Sequence, residues 1–263
     1  RCYDELPGLK IVFTGSSVMR LKEDTPELDS IVKRYNLRGF SFREFLNLQT
    51  GNRFKAITLD DILHNHEQIV KDILPKVSPA QHFQQYLHHG FYPFFLENRN
   101  FEENLLKTMN MMAEVDILLI KQIELKYLTK IKISNLAQEI ETSRATVMNY
   151  IKYLSDARLI NILYPVGEEF PKKPSKVMMH NPNLMYAIYP IECHRQDIME
   201  TFLVHALWKD HTVNHSGKEG QYIVDGGLKF RVCDAAAAHH TRCNPETIYA
   251  RYGTETRHDN RIP

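Results

Sequence analysis

The stretch KISNLAQEIETSRATVMNYIKYLSDARLINILYP, Lys132 to Pro165, decides the fold at the centre of this chain. Leu136, Ala137 and Ile140 fall on one face of a short helix; after a Glu141-Thr142 turn, Val147, Ile151 and Leu154 share one face of a second. Leu159 to Tyr164 is then rich in apolar and β-favouring residues, and Lys176 to Met179 offers a partner strand. Helix, tight turn, helix and strand pair is the order of a winged helix-turn-helix. Asn149 and Lys152 are outward residues of the second helix, and Arg144 lies near its N-terminus. Arginine and asparagine can hold guanine and adenine edges bidentately, and a lysine can meet phosphate, so these three are the candidate DNA-binding residues. The same fold also serves to pack against neighbouring domains, and Glu139, Glu141 and Asp156 dilute the positive charge.

Upstream, KIVFTGSS, Lys10 to Ser17, reads as a short strand buried on both faces that stops in a small polar turn. Tyr35 to Phe42 is a second strand candidate, followed by a turn toward helix. From Leu59 to Leu74 apolar positions follow the helical period behind a Thr58 cap, which makes ITLDD a helix start rather than a magnesium-binding strand end. Pro75 and Pro79 break that helix, Pro93 marks a turn, and a long helix is expected from Phe101 to Lys126. Beyond Pro190, Met199 to Asp210 reads as an amphipathic helix, and QYIVDGGLKFRV is a β-hairpin around Asp225-Gly226-Gly227.

The bulk composition is that of a globular protein, with 43% hydrophobic and 25% charged residues. Lys and Arg number 33 against 32 Asp and Glu, so contact with nucleic acid must come from a local patch. No apolar run is long enough to span a membrane, and four cysteines without a CxxC pair fit a reducing, cytoplasmic setting. The G-x-x-x-x-G-K-[ST] loop that wraps phosphates is absent: the Gly217-Lys218 pair is followed by Glu219 and lacks the earlier glycine. Cys233, His239, His240 and Cys243 match no standard zinc spacing, so no metal site is expected. Ser16-Ser17 lacks the second glycine of a nucleophile elbow.

Taken in order, DELPGLKIVFTGSS, NLRGFSFREFL, HGFYPFFLE, the winged helix and NPNLMYAI resemble the C-terminal two thirds of the archaeal-type AAA+ ATPases that carry a C-terminal nuclease-like domain. The resemblance implies an α/β and α+β multidomain chain: a remnant of a P-loop parallel sheet (1–55), a helical lid (56–105), the winged helix-turn-helix (106–190) and a degenerate nuclease-like α/β domain (191–263). It implies that the phosphate loop and magnesium-binding acids lie upstream of Arg1, and that Thr14 or Ser16 is the sensor of the γ-phosphate. ATP and magnesium are cofactors of the intact family; none is expected for this chain by itself, which would act with a missing N-terminal ATPase part or as an oligomer. The arginines that precede the NLRGFSFREFL segment in the family fall on Ser30 and Ile31, with Lys33 and Arg34 displaced nearby. In the nuclease-like part, the family's metal-binding acid positions fall on Gln221 and Arg231 and its lysine on Cys233, leaving Glu200 and Asp225 as acids. The resemblance thus implies an ATP-binding protein with a winged helix for double-stranded DNA or a partner, unable to hydrolyse ATP by itself. A free-standing winged-helix DNA-binding module is the alternative, and a nuclease the third reading.

Overall fold

A computed structural model of the protein describes residues 5, 8–12, 32–33, 35, 37–97, 100–116, 137–138, 141–188, 193–218, 220–234, 244–252 and 261–262. The chain divides into two compact units, Arg1–Asn36 and Leu37–Pro263. In the first, Lys10, Ile11 and Val12 form no strand; Ile11 and Val12 are exposed, Val12 at 91%, so the expected buried strand is not formed there. Phe13 and Thr14, its remainder, lie outside the described residues.

The second unit is mixed α/β. It opens with α1 (Phe42–Thr50), where a strand was expected to end. Ser41 caps this helix in a reciprocal capping box: its hydroxyl accepts the Glu44 N–H and the Glu44 carboxylate accepts the Ser41 N–H. The described residues between Tyr35 and Ser41 carry no strand. Thr58 does cap a helix through a second capping box with Asp61, but the expected single helix is two, α2 (Leu59–His64) and α3 (His66–Ile73). Asn65 breaks the run, with its N–H still held by the Asp61 carbonyl. Pro79 stands at the first position of α4 (Pro79–Gln85), where its missing N–H costs nothing. A π-helical turn, Tyr86–Gly90, continues α4; a 3-10 turn at Pro93–Leu96 and α5 (Phe101–Asp116) follow.

Ala137 and Gln138 are helical, and the turn after them closes through Thr142 N–H to the Ala137 carbonyl, with Glu141 in the left-handed conformation. Next come α6 (Arg144–Asp156) and an antiparallel pair, β1 (Ile160–Leu163) with β2 (Lys176–Met179), registered Ile160 to Met179. The helices α7 (Pro182–Ile188) and α8 (Arg195–Leu207) lead into a five-stranded sheet. Its strands are β3 (Val213–His215), β4 (Gln221–Val224), β5 (Leu228–Asp234), β6 (Thr247–Tyr252) and β7 (Arg261–Ile262), ordered 3-4-5-6-7. The first three are antiparallel, with Asp225 and the glycines turning β4 into β5 as the DGG sequence implies; β5, β6 and β7 run parallel. One apolar core joins α1, α6, β1, α7, α8 and β5 through residues such as Phe45, Ile151, Ile160, Leu184, Val204 and Phe230. No helix among the described residues is long and apolar enough to cross a membrane.

Candidate nucleic-acid interface

Helix α6 is set by its first residue and its buried face. The Ser143 hydroxyl accepts the Thr146 N–H at 3.1 Å, which fixes where the helix starts. Val147, Met148, Ile151 and Leu154 are buried, so the opposite face has to meet solvent. Asn149 is exposed there, and Arg144, the first residue of the helix, is exposed at its N-terminal end.

Lys152 is engaged differently from its sequence reading. Its ammonium lies 3.1 and 3.2 Å from the two carboxylate oxygens of Asp156, one turn on, and 5.8 Å from the centre of the Phe170 ring. Phe170 belongs to the segment between β1 and β2, so Lys152 ties the helix to that connection. The connection turns through Glu168 N–H to the Pro165 carbonyl and Lys172 N–H to the Glu169 carbonyl, then closes on β1 through the Ser175 N–H and hydroxyl, both donated to the Leu163 carbonyl. Pro171, Lys172 and Lys173 are exposed on it, Lys172 standing 3.9 Å from Glu168. Sequence periodicity alone did not single out these two lysines, since they lie in no regular element.

The sheet beside α8 has its own polar cluster. Glu200, 1% exposed, receives the Lys176 ammonium, the Tyr222 hydroxyl at 2.5 Å and the Gln196 amide at 2.8 Å; that amide also donates to the Val232 carbonyl. Burial by itself raises the Glu200 carboxyl, but the Lys176 charge and the three hydrogen bonds outweigh it and hold the group below its usual range. Burial and the neighbouring carboxylate push the Tyr222 phenol strongly upward, so it stays a donor. Nothing local in the sequence announced this cluster, whose members come from α8, β2 and β4.

The other acid, Asp225, is exposed and holds a turn. It takes His211 Nδ1 at 2.7 Å, the Thr212 N–H at 2.9 Å and the Thr212 hydroxyl at 3.1 Å, and the His211 contact leads in keeping its carboxyl below the usual range. Arg231 lies on β5 opposite Gln221, and Cys233 opposite Arg251. Glu200 and Asp225 therefore keep separate partners. Among the described residues no three His, Cys, Asp or Glu are grouped to hold a metal ion. His239, His240, Cys243 and the sensor candidates Thr14 and Ser16 lie outside the described residues, as do Ser30 and Ile31.

No protein-family model matches the chain, and no solved structure matches it. The chain is 25% identical over 177 residues to the uncharacterized protein MJ1637 of Methanocaldococcus jannaschii, a match covering 60% of this chain and 37% of that protein. The chain therefore spans little more than a third of that relative's length.

Proposed function

We propose that this chain is the DNA-facing portion of an archaeal-type AAA+ ATPase, with α6 as the reading helix and the β1–β2 connection as its wing. The observation that carries this reading is the tie between Lys152 and Phe170, which sets the connection against the helix that presents Arg144 and Asn149. An exposed Arg at the start of the helix and an exposed Asn along its outer face have the chemistry to read base edges, while Lys172 and Lys173 on the wing can neutralise phosphates. Lys152, held by Asp156, serves to position rather than to contact.

ATP enters this proposal through the family resemblance. The 263 residues hold no phosphate loop, so the chain by itself is expected to hydrolyse no ATP. Binding to a random-sequence duplex, measured from low to high salt, tests the reading: affinity should fall linearly in log-log form with a slope near 0.9 per phosphate neutralised. Affinity independent of salt, or no binding, would refute it. The nuclease reading has little chemical support, since Glu200, the one fully buried acid among the described residues, is already neutralised by Lys176.

A further inference from the structure

The five-stranded sheet ends on β3, an edge strand paired among the described residues with β4. An edge strand carries backbone N–H groups that no neighbouring strand receives. That of His215 goes instead to the Tyr164 carbonyl at 3.1 Å. Tyr164 stands immediately beyond the last β1–β2 pair, Leu163 with Lys176, so the β3 edge meets the chain where it leaves the ladder for the wing.

Asn214 adds a second hold at the same place, 50 residues along the chain from Tyr164. Its half-buried side-chain amide donates to the Tyr164 carbonyl at 3.2 Å and to the Pro165 carbonyl at 3.4 Å. The Pro165 carbonyl also receives the Glu168 N–H at 3.1 Å, the bond that closes the first turn of the wing. The returning stem is held from the same side. Lys176 gives its ammonium to Glu200 of α8 and, at 3.2 Å, to the Tyr222 hydroxyl of β4, the strand paired with β3. Both stems are therefore fixed on the sheet and its covering helix, while Phe170 between them meets Lys152 of α6. Lys172 and Lys173 are exposed within that span and belong to no helix or strand, so the stems set where they stand.

We propose that Asn214 is a positioning residue for duplex binding: from the sheet edge it fixes the outgoing stem, and through it the two wing lysines against the phosphates. This role rests on the duplex-binding reading above and gives the C-terminal sheet a part in it. Asn214 acts through the stem and makes no contact with the duplex itself. Asn214→Ala leaves neither carbonyl without a donor, because Tyr164 keeps the His215 N–H and Pro165 keeps the Glu168 N–H, so the variant keeps the fold.

A salt series of duplex binding on the whole chain compares the parent, Asn214→Ala, the Lys172→Ala, Lys173→Ala pair, and all three changes together. Asn214→Ala should weaken binding about threefold to tenfold and lower the salt slope by about 1, since a wing lysine out of reach neutralises no phosphate. It should leave the sequence preference as it is. In the chain lacking both lysines it should change neither affinity nor slope further, a pattern that a general loss of structure does not produce. Amide hydrogen exchange, which needs no duplex, should show the Glu168 and Lys172 N–H groups exchanging at least about fivefold faster in Asn214→Ala, with α6 unchanged. The parent's slope in Asn214→Ala, or an equal loss of affinity with and without the wing lysines, overturns the assignment while the duplex reading stands. Unchanged exchange at Glu168 overturns it as well. A parent chain that binds no duplex overturns both.

Discussion

Lys176 and Glu200, 24 residues apart, meet as an ion pair that joins β2 to α8. Glu200 is fully buried and Lys176 only 22% exposed, so the pair fastens the β1–β2 unit onto the helix that covers the five-stranded sheet. Removing one partner of a buried pair leaves an uncompensated charge, a loss of about 3–5 kcal/mol in well-buried cases. Lys176→Met should destabilise by about 3 kcal/mol in urea unfolding, toward the lower end because Lys176 keeps some contact with water. Pairing it with Glu200→Leu should restore a large part of that loss. A Lys176→Met chain as stable as the parent would contradict the assignment.

Glu200 and the buried His205 are among the groups that make the fold sensitive to acid, in different ranges. Glu200 is held below its ordinary 4.5, so the stability it contributes is present above that value and is lost as pH falls through its folded value. Burial lowers His205 to about 4 from 6.5, so between those values the unfolded chain binds a proton that the folded chain does not. Stability should therefore decline as pH falls from about 6.5 to about 4, by up to about 3 kcal/mol from His205. His205→Phe should reduce that upper limb in melting curves, with His180, likewise lowered by burial, keeping a share, and leave the Glu200 limb in place. An unchanged upper limb in the variant would count against a buried neutral His205.

Periodicity made the fold legible where a single helix or strand pair organises itself. Thr58, the helix of Val147, Ile151 and Leu154, the pairing of Lys176–Met179 with Ile160–Leu163, and the Asp225 hairpin follow from caps, spacing and turn residues. It failed where one polar side chain decided the outcome. Ser41 starts a helix inside an apolar run that reads as strand, and Asn65 divides a run that reads as one helix. The site was legible only in part, because exposure of Asn149 follows from helical period and that of Arg144 from its place at the first position of the helix, but the engagement of Lys152 depends on Asp156 and Phe170. Contacts such as Lys176 with Glu200 have no period to betray them.

Asn183 links the π-helical turn to α7 over more than 90 residues of chain. Its side-chain oxygen accepts the Phe91 N–H at 2.8 Å, and its amide donates to the Tyr86 and Leu87 carbonyls at 2.9 and 2.8 Å, all buried. Asn183→Ala leaves one donor and two acceptors without partners and should destabilise by about 2–4 kcal/mol. Asn183→Asp keeps the Phe91 bond but loses both amide donors, and should be no better in the same unfolding measurement.

Gly90 ends that turn against two rings. A Cβ there would stand 2.5 Å from the Tyr86 ring and 2.8 Å from the Phe45 ring, which are both core residues. Gly90→Ala should therefore cost about 1–3 kcal/mol through overpacking, where an unhindered helical glycine would gain stability from the same change. A stabilised Gly90→Ala chain would show that the rings move freely.

Duplex binding by fluorescence anisotropy, across a salt series, tests the central claim most directly. The parent should bind with a steep salt slope, Arg144→Ala with Asn149→Ala should lose about 1–3 kcal/mol and part of its sequence preference, and Lys172→Ala with Lys173→Ala should reduce the slope by up to about 2. Lys152→Ala should keep the sequence preference set by Arg144 and Asn149 and weaken binding only through a loosened wing, because its ammonium is committed to Asp156 and Phe170 rather than to DNA. An Arg144→Ala, Asn149→Ala chain that binds duplex like its parent, with the same slope and preference, would contradict α6 as the reading helix.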